Sequence, residues 1–193
     1  MDETFFTGEG DAPAKRRILV EALRLFTQKG LLETTIRDIA AAAGYTNPAL
    51  YKHFASKDEL ALYLFGACYR ELVIRLEGEL RRAHTLDERL RAFVTGFLEF
   101  YEESPEAVVF VHDHLHRFWP QVPEHVRRTT IPGLVRRLAR ERPESATASE
   151  DALIVLVTGT LAQLARMLYL RGIEGPARRW IDEMTELFVR AFR

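Results

Sequence analysis

Between Thr34 and Leu60 two short helical patterns are separated by a glycine and a capping residue, and no other stretch narrows the folding choices as far. Ile36, Ile39, Ala40 and Ala43 share one helix face, and Gly44 ends that run. Thr46 then opens a second turn in which Leu50 and Phe54 recur at i, i+4. The spacing predicts helices over about 36–43 and 47–53. Pro48 is tolerated near the start of the second, where an amide has no intrahelical partner to lose. Short helix, tight turn and short helix make a helix-turn-helix, whose second helix is sized for the major groove of DNA.

The rest of the chain is also helical in pattern. Ile18, Leu19, Ala22, Leu23, Leu25 and Phe26 predict a first helix from Ala14 that Gly30 stops. Ser56 and Glu59 form a capping-box pattern opening a fourth helix to about Ala83, and Thr85 with Glu88 opens a fifth to near Glu103. Ser104 and Pro105 start a sixth, which Pro120 stops; Pro123, Pro132 and Pro143 then break the next stretch into one kinked helix or two shorter ones. A long apolar helix is expected from about Glu150 to Arg171, and a last one from Pro176 to Phe192. No strand-like alternation persists, so the expected fold is all-α with about nine helices. Its divisions are an acidic, disordered tail over 1–11, a three-helix head over 12–72 with the helix-turn-helix at about 35–54, and a larger helical region over 73–193.

The net charge of −1 hides a polarity. From Pro13 to Lys57 the bases are Lys15, Arg16, Arg17, Arg24, Lys29, Arg37, Lys52 and Lys57, against Glu21, Glu33 and Asp38. A net positive head suits phosphate. The single cysteine, Cys68, excludes an intrachain disulfide and fits a reducing compartment. The amino-terminal residues lack the basic patch and apolar stretch of a secretory signal, and no apolar run is expected to reach the roughly 20 residues that span a bilayer. A cytoplasmic protein with no membrane partner is expected.

The second short helix divides cleanly. Leu50 and Phe54 should pin it inward, leaving Thr46, Asn47, Ala49, Tyr51, Lys52 and His53 outward. Asn47 can pair with adenine and the Ala49 methyl suits thymine, whereas Tyr51, Lys52 and His53 suit phosphate oxygens. Thr35 and Lys57 stand at helix N-termini, where amides and dipole favour an anion, and Arg37 can reach the flanking backbone. These residues describe binding to double-stranded DNA, with no catalytic constellation and no cofactor.

The run Thr-Ile-Arg-Asp-Ile-Ala (35–40), Ala-Gly-Tyr-Thr (43–46), Ala-Leu-Tyr-Lys-His-Phe (49–54) and Ser-Lys-Asp-Glu-Leu (56–60) resembles the signature of the TetR family of bacterial transcriptional regulators. The resemblance implies a three-helix DNA-binding domain and a carboxy-terminal domain that binds a small-molecule effector and dimerises. It further implies a repressor released from its operator by that effector, although some members activate. By position it carries Thr35, Asn47, Ala49, Tyr51, Lys52, His53 and Lys57 over as DNA contacts. Asn47-Pro48 departs from the family pattern, in which a basic or small residue is often followed by a small one.

A single short helix reads few base pairs, so such modules pair on near-palindromes with half-sites about 34–36 Å or a multiple apart. The last two helices are the expected homodimer interface. Ile154, Val155, Val157, Leu161, Leu164, Leu168, Trp180, Met184, Leu187, Phe188 and Phe192 offer surplus apolar surface there, and Gly159, Ala162 and Ala165 permit close approach. Phe93, Phe97, Phe100, Tyr101, Phe110, His114, Phe118 and Trp119 are the candidate lining of an effector pocket, with many of the aromatics serving as core. A rival reading centres on His112, Asp113 and His116, whose spacing echoes the His-Glu-x-x-His of zinc hydrolases. It would make the chain a metal-responsive regulator or metal-dependent enzyme, with His84 or His125 as a third ligand if folding brings either close.

Overall fold

A computed structural model describes residues 12–193; the expected acidic tail over 1–11 lies outside the described residues. The described residues hold α1 (Pro13–Gln28), α2 (Ile36–Ala43), α3 (Asn47–Tyr51), α4 (Lys57–Leu80), α5 (Leu86–Glu103) and α6 (Pro105–Phe118). There follow the single turn α7 (Glu124–Arg127), α8 (Ile131–Ala139), α9 (Glu150–Tyr169) and α10 (Ile181–Ala191), with 3₁₀ turns at Trp119–Gln121 and Ala177–Trp180. No strand occurs among them. The all-α expectation is met.

Local chemistry explains most boundaries. Thr35 and Asp38 cap α2 reciprocally, and Thr85 and Glu88 do the same for α5. Ser56 accepts from the Glu59 amide at 3.1 Å, but the Glu59 carboxylate takes the Ala55 amide at 2.7 Å rather than that of Ser56. Ser149 caps α9 and Thr130 caps α8. Pro123 and Pro132 resolve the uncertain stretch into two helices. Gly44 closes α2 at φ 76°, a left-handed conformation that Tyr45 reinforces by donating to the Ala40 carbonyl at 2.9 Å. A Cβ at Gly44 would meet nothing within 4 Å, so backbone conformation and not space demands glycine there.

The chain forms two compact units. The first comprises the described residues up to Glu71 together with Glu106–Pro123; the second comprises Leu72–Pro105 and Glu124–Arg193. The head expected over 12–72 thus gains a non-consecutive segment, α6, which linear reading placed with the later helices. In this unit α1 packs on α2 and α2 on α3. Phe26 stacks on Phe110 at 5.8 Å, Phe65 meets Phe118 at 5.7 Å, and Tyr69 meets Trp119 at 5.0 Å. Cys68 is fully buried, and desolvation pushes its thiol well above the ordinary range.

In the second unit α10 packs on α5, and α9 packs on α8 and α5. Arg75 and Glu103 form a two-pronged pair, as do Arg178 and Glu102. One sequence expectation is corrected here: α9 is, by length and composition alone, long and apolar enough to cross a membrane. Polar residues interrupt it too thinly to lower its average, with Glu150 and Asp151 at one end and Arg166 near the other. Leu153, Val157, Leu161, Leu164 and Ala165 are its buried face. Val155, Gly159, Met167 and, just beyond the helix, Leu170 are exposed.

Candidate nucleic-acid interface

α3 is held by two apolar anchors. Leu50 is fully buried and Phe54, nearly so, meets Tyr63 edge-on at 5.5 Å. With that face committed, Thr46, Asn47, Pro48, Tyr51 and Lys52 are exposed, and Ala49 and His53 are half-buried. The helix is shorter than expected, ending at Tyr51, because His53 and Phe54 both donate to the Leu50 carbonyl and close the last turn.

Thr46 has the extended backbone of an N-cap, but its hydroxyl accepts no capping bond, against expectation. Such a hydroxyl accepts from the second or third helical amide. Pro48 has no N–H to give, and that of Ala49 goes to the Thr46 carbonyl at 3.0 Å. The Thr46 side chain is therefore exposed and not spent on its own helix.

The cations of the head divide by what already holds them. Arg24 pairs with Glu21, and Lys29 reaches Asp38 at 2.8 Å. The Lys57 ammonium donates to the carbonyls of Leu31, Leu32 and Thr34 at 2.8, 3.2 and 2.7 Å. Arg37 and Lys52 are exposed, with no such partner among the described residues. Thr35 accepts from the Asp38 amide at 3.1 Å, which leaves its hydroxyl proton for an outside acceptor. Two residues were absent from the sequence-based set. Tyr45, exposed in the turn between Gly44 and Thr46, was signalled only by that position. Thr34, fully buried, closes the α1–α2 loop by donating to the Gly30 carbonyl at 2.7 Å.

The Lys29 hydrogen bond, followed by the Thr35 amide, lowers the Asp38 carboxyl from an ordinary 3.8 to about 2. A depressed carboxyl contributes stability that is present above its unfolded value and lost as pH falls through its folded value. The α2 cap is therefore expected to hold at neutral pH and to loosen between about pH 4 and about 2. Amide exchange of residues 35–39 measured across that range checks this; Asp38→Asn should remove the acid dependence.

The candidate pocket residues fall in different units. Phe93, Phe97, Phe100 and Tyr101 are buried in the second, where Arg75 lies over the Phe100 ring at 5.7 Å. In the first, Phe110 and Phe118 are buried and Trp119 is half-buried. His114 is half-buried, edge-on to Phe110 at 4.8 Å and to Phe118 at 6.0 Å. Burial lowers its pKa; Asp113 opposes that, and Arg117 and His116 add to it. His112 and His116 are exposed on α6. Among the described residues no three His, Cys, Asp or Glu side chains come together as a metal cluster, so the convergence of His112, Asp113 and His116 that the rival reading needs is not formed. Their spacing permits a shared face, but a third ligand has to come from elsewhere in the fold. His84 supplies none, and the His125 side chain lies outside the described residues.

Residues 18–64 match the model of a family described as bacterial regulatory proteins, tetR family. The chain is 29% identical over 169 residues to the transcriptional activator FasR of Mycolicibacterium smegmatis, covering 86% of this chain and 71% of the relative. It is 36% identical over 116 residues to the transcriptional repressor KstR2 of Rhodococcus jostii, covering 55% of this chain and 52% of the relative. The chain thus spans about half the length of that repressor. The solved structure of KstR2 of Mycobacterium tuberculosis superposes with a TM-score of 0.78 at 23% identity, covering 93% of this chain and 95% of that one. PfmR of Thermus thermophilus, described as a TetR family transcriptional regulator, gives 0.74 at 25% identity over 92% and 99%.

Proposed function

We propose that this chain, whose residues 18–64 match the TetR family of bacterial regulatory proteins, is a homodimeric repressor of that family acting in the cytoplasm on a near-palindromic operator. The observation that carries this reading is the division of α3, with Leu50 and Phe54 buried and Asn47, Tyr51 and Lys52 exposed. On this reading Thr46, Asn47 and Ala49 meet base edges, while Thr35, Arg37, Tyr51, Lys52 and His53 hold phosphates. The exposed apolar residues of α9 and α10, including Val155 and Leu187, support a two-fold interface through the last two helices. An apolar or aromatic small molecule, bound beside the second unit's rings Phe93, Phe97, Phe100 and Tyr101, releases the repressor by favouring a dimer that no longer matches the half-site spacing.

Selection from a randomised duplex library on purified protein tests the reading. It should return an inverted repeat bound at nanomolar to sub-nanomolar strength and weakened by salt. Equal, weak retention of all sequences would overturn it. Tyr51→Ala is expected to weaken binding of the selected duplex about 10-fold, a loss in the range of one charge-assisted hydrogen bond. Tyr51 is 52% exposed, so light scattering should show the dimer unchanged. A reporter behind the selected site reads the sign of regulation, with repression expected.

A further inference from the structure

We propose that Lys57 is a positioning residue of the DNA-reading head: its ammonium braces the α1–α2 loop against the start of α4 and does not contact phosphate. The inference rests on the DNA-binding reading above and departs from the role that the family pattern assigns to this lysine.

Three observations support it. First, a lysine ammonium has three N–H donors, and here all three find backbone carbonyls, those of Leu31, Leu32 and Thr34. A phosphate at this ammonium would have to displace a carbonyl lying within 2.7 to 3.2 Å. Second, α4 does not need the lysine. Lys57 is its first residue, at the positive end of the helix dipole, where a cation is locally unfavourable. Asp58 and Glu59 supply the favourable charge, and the Ser56 hydroxyl and Glu59 carboxylate take the amides of Glu59 and Ala55. The cation is thus explained by the distant loop and not by its own helix.

Third, the brace joins the two ends of the reading motif. Thr34 immediately precedes the α2 cap, Lys57 begins α4, and α3 lies between them in the chain. The loop is also closed on itself at Thr34, whose amide and hydroxyl both donate to the Gly30 carbonyl, at 3.1 and 2.7 Å. One ammonium therefore ties a pre-folded loop to α4 across 23 to 26 residues. Without it three carbonyls lose their donor, and the α2 entry is free to move relative to the α4 start.

Lys57→Met, Lys57→Arg and, as a phosphate comparator, Lys52→Ala separate the two roles. The probe is the duplex selected by the wild-type protein or, where none is retained, random-sequence duplex at low salt. Arginine keeps the charge but offers a planar fork, so a phosphate contact survives the change and a three-carbonyl brace does not. Both Lys57 variants should bind about 10-fold more weakly with the wild-type dependence of log K on log salt, whereas Lys52→Ala should lower that slope by about 0.9. Amides of residues 30–35 should exchange faster in both Lys57 variants, without DNA present. A slope lowered by about 0.9 in Lys57→Met with full binding by Lys57→Arg overturns the brace, and so does unchanged loop exchange. Failure of the wild-type protein to bind duplex in a salt-dependent way instead overturns the regulator reading, and the exchange measurement still reports on the brace.

Discussion

Val155→Arg is expected to halve the particle mass in light scattering and to weaken binding of the two-half-site duplex by about 10²- to 10⁴-fold. Val155 is 71% exposed on α9, so in a single chain the arginine stays solvated and helix content by circular dichroism should be retained. In a two-fold interface the same residue appears on both copies, so one substitution places two unpaired cations at the contact. Desolvating an unpaired charge costs several kcal/mol, more than the apolar contact of one valine returns. DNA affinity falls because each half-site then binds as an independent module. Leu187→Arg, from the exposed side of α10, should act alike, and Val155→Ala should leave the mass of a dimer. A dimer that persists in both arginine variants would move the interface away from α9 and α10.

Leu50→Ala should remove sequence-specific binding while leaving dimer mass intact. Leu50 is fully buried, and shortening a buried leucine costs about 2–5 kcal/mol from lost transfer energy and an unfilled cavity. That cost falls on a helix of five residues with no side-chain cap, far too short to persist without tertiary anchoring. Of the two buried anchors only Phe54 then remains, so the exposed set from Asn47 to Lys52 loses its fixed presentation. The expected readouts are loss of discrimination between selected and scrambled duplex, and faster exchange of amides 47–54 than in the wild-type protein. Retained discrimination would mean that the reading surface does not depend on α3.

Much of the head was legible in the residues themselves. The limits of α2, its Thr35–Asp38 cap and the Gly44 stop agree with the pattern because each depends on neighbours within four residues. The split of α3 into Leu50 and Phe54 against Asn47, Tyr51 and Lys52 follows from helical period alone. Thr46 did not follow its propensity, because capping also needs a donor and the neighbouring proline removes one. The candidate pocket was read as one aromatic set from a stretch of sequence, whereas the fold divides its members between two compact units.

What the amino-acid order determined alone is therefore periodic and local: an all-helical chain, a helix-turn-helix, and a polar face turned outward on α3. Tertiary structure decided the rest. It placed α6 with the head through rings such as Phe110 and Phe118, left Val155 of α9 uncovered, and gave the Lys57 ammonium three carbonyls more than 20 residues away. The reason is physical. A helix face or a cap is written in the spacing of adjacent residues, but a charge binds whichever acceptors the folded backbone brings within about 3 Å, and no local pattern records which those are.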